Sequence, residues 1–61
     1  MLHPTASELR SLRLKHGLTH KAIADLIYVS PAGYTHCERG IRQMSKSSYE
    51  LLLIKLGEHH G

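Results

Sequence analysis

Six histidines, one cysteine and Asp25 are the groups from which this chain could build a reactive or metal site. His36 and Cys37 are adjacent, but neighbouring side chains on a helix point about 100° apart, so they do not form a base and nucleophile pair. Asp25 has no histidine partner of its own. The histidines stand at 3, 16, 20, 36, 59 and 60, and the only four-residue spacing, His16 to His20, crosses Gly17 and leaves any continuous helix. His59-His60 could hold a metal only weakly. No catalytic residue, resident metal or cofactor is therefore expected. What remains is charge: a formal +3 with a pI near 9.4 is the sign expected of a phosphate-neutralising protein, though it equally describes a basic solvated surface.

The stretch from Thr19 to Gly40 must position four of these groups, His20, Asp25, His36 and Cys37. Thr19 is an N-cap before Ala22, Ile23, Leu26 and Ile27, which fall on one helical face. Ser30-Pro31 then pairs a capping hydroxyl with a residue whose fixed φ suits the first helical position, so a second short helix begins there. Tyr34, Cys37 and Glu38 lie three and four residues apart along it, and Gly40 supplies the stop. Cys37 should face the core.

Upstream, Met1 to Pro4 reads as a short arm, and Thr5 to Glu8 as a capping box for a helix carrying Leu9, Leu12 and Arg13, ended by Gly17. Leu14 falls off that stripe. Downstream, Ile41 to Met44 is a loop from which Ile41 or Met44 plugs the core. A last helix starts at Ser45 or Ser47 and runs through Leu56, with Tyr49, Leu52, Leu53 and Leu56 as its inward stripe; Ser47 to Glu50 also fits a capping box. Gly57 ends it, and the tail Glu58-His59-His60-Gly61 has nothing to pack against. Sixty-one residues make one domain, spanning 1–61 with its core at about 5–57. A chain of that size buries only about 60% of its unfolded surface. With no Trp or Phe, a core of Leu, Ile and Val favours packed helices. A single cysteine excludes an intrachain disulfide, and no run approaches the roughly 20 apolar residues of a membrane span. A cytoplasmic protein without a membrane partner is expected.

Leu9, Leu12 and Arg13, then Gly17-Leu18-Thr19, Ala24, Val29-Ser30 and Glu38-Arg39-Gly40 resemble, in order and spacing, the landmarks of the lambda-repressor-like (Cro-like) helix-turn-helix domain. The resemblance covers about residues 7–56. It implies an all-α, compact bundle of four or five helices whose third helix enters the DNA major groove. It also implies a bidentate pair between Arg13 and Glu38. Where the family usually has glycine before Val-Ser, this chain has Tyr28, which disfavours positive φ, so a longer corner or one without a left-handed residue is expected.

If the helix opening at Ser30 reads DNA, its start and outer side offer Pro31, Ala32, Gly33, Thr35 and His36 to base edges. His36 is the first candidate for a base hydrogen bond and Thr35 the second; Ala32 offers a methyl and Gly33 close approach. Tyr34 is implied to pack its ring inward while its hydroxyl reaches a phosphate. Thr19, His20, Lys21, Arg39, Arg42 and Lys46 are the other candidate phosphate contacts. Leu51 and Ile54 lie on another side of the last helix, which suggests a homodimer interface, although either could simply cover the rim of the core. These features point to a sequence-specific transcriptional regulator of double-stranded DNA. The resemblance favours a repressor of a phage, plasmid or similar element, without a small-molecule effector. The competing class is a protein-interaction module on the same fold, such as a small antitoxin or anti-repressor.

Overall fold

A hydroxyl opens each helix of the chain and a left-handed residue closes it, and this punctuation sets the architecture. Residues 3–58 are described in a computed structural model; Met1, Leu2 and residues 59–61, including the His59-His60 pair, lie outside the described residues. The order is α1 (Ala6–Lys15), α2 (His20–Leu26), α3 (Pro31–Glu38) and α4 (Lys46–Lys55), with no strand among the described residues. Thr5, Thr19, Ser30 and Ser45 are the N-caps, each accepting from the amide three residues on. At Thr5 the box is complete: Glu8 N donates to Thr5 Oγ1 at 3.1 Å and Thr5 N to Glu8 Oε1 at 2.7 Å.

The residue before each cap and the fourth residue of each helix occupy hydrophobic-staple positions. They are Pro4 and Leu9, Leu18 and Ile23, Val29 and Tyr34, Met44 and Tyr49. All but Pro4 belong to the core or pack against it, and Pro4 is itself buried. This explains why Ser45 caps α4: only that cap puts Met44 and Tyr49 in staple register. The expected Ser47 to Glu50 box is not used.

α3 packs against α1 and α2, and α2 against α4. The buried set is Leu9, Ile23, Ala24, Ile27, Tyr34, Cys37, Met44 and Leu52. The expectation of a Leu, Ile and Val core therefore needs correction, because Tyr34 is the largest fully buried side chain. Met44 fills the core from the loop while Ile41 is exposed. On α4, Leu51 packs against the core with Tyr49 and Leu56, taking the place expected for Leu53. The arm and tail also correct the reading from sequence. His3 Nδ1 donates to the Met44 carbonyl at 2.9 Å, and Glu58 Oε2 meets Lys15 Nζ at 2.7 Å and His16 Nε2 at 2.8 Å.

The corner between α2 and α3 is the other correction. Tyr28 has φ +60°, the conformation that Gly17, Gly40 and Gly57 adopt after the other helices. Its amide donates to Asp25 O and the next, of Val29, to Ala24 O, the paired bonds of a Schellman stop. Because Val29 must turn inward and Ser30 must cap α3, Tyr28 is the residue left to reverse the chain. A left-handed non-glycine residue costs about 1–2 kcal/mol. The ring is 77% exposed. Its described polar contact is Lys55 Nζ, 3.1 Å from the hydroxyl and 5.0 Å from the ring centroid, an exposed arrangement worth about 0.5–1 kcal/mol. Strain outweighs contact. Tyr28→Gly should raise stability by about 0.5–1 kcal/mol, read as a higher midpoint in urea unfolding; an unchanged or lower midpoint would show that the Lys55 contact dominates.

Candidate nucleic-acid interface

Tyr34 and Cys37 turn into the core, and that fixes which side of α3 faces out. Pro31, Ala32 and His36 are exposed, while Gly33 and Thr35 are partly covered on the flanks. Thr35 Oγ1 donates to the Pro31 carbonyl at 2.8 Å, so its proton is committed to the helix and only acceptor capacity faces outward. The His36 ring is exposed and, of the outward side chains from Pro31 to His36, is the one that carries nitrogens.

The candidate phosphate contacts fall into three groups. Arg39, Arg42 and Lys46 are exposed at the end of α3, in the following loop and at the start of α4, and none pairs with a carboxylate among the described residues. Thr19, His20 and Lys21 sit at the start of α2. There Lys21 Nζ meets Asp25 Oδ2 at 2.9 Å, and His20 Nε2 lies 3.3 Å from Glu38 Oε1. Tyr34 forms the third group and is a correction. It is fully buried, and its hydroxyl donates to the Leu9 carbonyl at 3.3 Å, so it cannot reach a phosphate. Burial, with the Glu38 carboxylate second, pushes its phenol well above the usual range. A ring wide enough to fill the centre of the bundle leaves its polar end inside too.

The family described as helix-turn-helix domain matches residues 6–58. The chain belongs to that family. The crystal structure of the clp gene regulator ClgR from C. glutamicum is similar to this helix-turn-helix protein, with a TM-score of 0.78 and 28% identity. The similarity covers 90% of this chain and 77% of that one. No curated protein matches the chain. Among the described residues, no helix is long and apolar enough to cross a membrane, and no group of three or more His, Cys, Asp or Glu could hold a metal ion.

Besides its buried Tyr34 and Cys37, α3 is tied to its neighbours through a single carboxylate. Arg13 Nε donates to Glu38 Oε2 and Arg13 Nη2 to Glu38 Oε1, both at 2.9 Å, a fork-to-fork pair joining α1 to α3. Arg13 Nη1 also donates to the Leu18 carbonyl at 3.0 Å, and His20 brings the start of α2 to the same carboxylate. The pair is largely shielded, with side chains 15% and 8% exposed. The Arg13 guanidinium, against the opposing cost of burial, holds the Glu38 carboxyl down at about 2, from an ordinary 4.5. On the other side of α3, burial pushes the Cys37 thiol up. Its side chain packs in the core.

Because the Glu38 pKa is lower in the folded state, its stabilisation is complete above pH 4.5 and is lost as the pH falls towards about 2. The loss is on the order of 3 kcal/mol, a large share of what so small a domain has. Acid titration of unfolding free energy should show that loss in the native protein and a much flatter profile in Glu38→Gln. At neutral pH, Arg13→Ala should destabilise by about 3–5 kcal/mol, since it leaves Glu38 charged and uncompensated.

Proposed function

We propose that this helix-turn-helix protein is a cytoplasmic, sequence-specific DNA-binding transcriptional regulator, acting as a repressor on the promoter of a phage, plasmid or similar mobile element. Family membership and the regulator neighbour support the DNA-binding role. The observation that carries it is the outer side of α3: exposed, free of acidic side chains, and bordered by Arg39, Arg42 and Lys46 without carboxylate partners among the described residues. Unpaired cations next to a protruding helix are what backbone phosphates require, because no internal ion pair must break on binding.

In this reading α3 lies in the major groove. His36 bonds a base edge, Thr35 accepts from one, and Pro31, Ala32 and Gly33 provide apolar contact and close approach. Arg39 and Lys46, with Thr19, His20 and Lys21 from α2, face the backbone. Two copies bind paired half-sites, joined through α4. Ile54 is 57% exposed there and is the stronger anchor, since Leu51 is partly used by its own core.

Titration of the protein onto duplexes carrying the region upstream of its own coding sequence tests this at two salt concentrations. Saturation at two chains per site, sequence preference, and affinity that falls steeply with salt are expected. His36→Ala should weaken binding to the preferred site by about 1–3 kcal/mol and random duplex little. Absence of binding even at low salt would favour the protein-interaction module.

A further inference from the structure

The described glycine with an ordinary helical φ is Gly33, so backbone freedom does not explain it. Space does. A Cβ there would stand 3.3 Å from Arg42 Nη1 and 3.1 Å from the cap oxygen Ser30 Oγ, both tighter than normal packing, so the guanidinium of Arg42 rests against α3 at this position and would have to give by a few tenths of an ångström to admit a side chain.

Arg42 is fastened to that helix at its root as well. The amides of Ile41 and Arg42 both donate to the His36 carbonyl, at 2.9 and 3.2 Å, and the loop is anchored beyond them by buried Met44. Its guanidinium has no hydrogen bond or carboxylate among the described residues. Meanwhile α3 itself presents little with direction: Pro31, Ala32 and Gly33 have no polar side-chain atom, and the Thr35 proton is committed. The loop thus places a planar five-donor fork beside a reading helix that lacks one.

We propose that Arg42 is a base-reading residue, directed at the O6 and N7 edge of a guanine, and that Gly33 is the positioning residue that lets its guanidinium lie along α3. This reassigns Arg42 from the backbone contact expected from its place in the sequence, and Gly33 from close approach to a base, and it rests on the DNA-binding reading above. Arginine matches that guanine edge bidentately, whereas a lysine at the same place acts as a point charge.

The test begins with duplexes selected from a randomised pool by the native protein, which are then bound by Arg42→Ala, Arg42→Lys, Gly33→Ala and the Gly33→Ala/Arg42→Ala double variant, each checked for native helicity. Arg42→Ala should lose about 10- to 100-fold on the selected site and only a few-fold on random duplex. Arg42→Lys should keep the salt dependence but lose the preference for one G·C pair. Gly33→Ala should blur the same pair and add nothing in the double variant. Equal loss on selected and random duplex for Arg42→Ala, with a shallower salt slope, would make Arg42 a phosphate clamp and overturn the proposal alone. Failure of the native protein to enrich any sequence would overturn it together with the regulator reading.

Discussion

The Arg13 to Glu38 pair is the constraint on which the presentation of α3 depends. Three helices converge on one carboxylate: α1 through the Arg13 fork, α2 through His20, and α3 through Glu38 itself. A fully hydrophobic contact could bury as much surface, but it would not fix the rotation of α3 about its axis so narrowly, because apolar packing has no direction while a two-bond fork does. That rotation decides whether Pro31, Ala32 and His36 face outward. The pair is therefore as much a device for orientation as for stability.

Much of the fold was legible because short-range chemistry and long-range packing agree. Thr5, Thr19 and Ser30 cap where their hydroxyls stand before apolar runs, and the family landmarks place Arg13 and Glu38 in register. Tyr28 shows where local preference loses: its φ is set by Ser30 having to cap and Val29 having to turn inward, neither of which an isolated preference for negative φ can weigh. Ser45 and Ser47 are both plausible caps by local sequence, and the staple partners Met44 and Tyr49 decide for Ser45. At Leu51 and Leu53, two leucines in a nearly continuous apolar run give no phase, and only the packed partner decides which one turns inward.

The candidate site was less legible than the scaffold. Outward positions on α3 follow from periodicity, but the buried Tyr34 hydroxyl and the committed Thr35 proton depend on three-dimensional neighbours. From sequence Arg42 is only a loop cation. The signal that points to its lying against α3 is Gly33, a glycine inside a helix with no turn to make, beside which the guanidinium rests.

The most direct test of the account is to record amide chemical shifts of the labelled protein while a preferred duplex is added. The perturbed amides should cluster at Thr19 to Lys21, Ala32 to His36 and Arg42, with Tyr28 and the middle of α4 changing only where two copies meet. Perturbations confined to Tyr28 and α4, with the outer side of α3 unmoved, would contradict it.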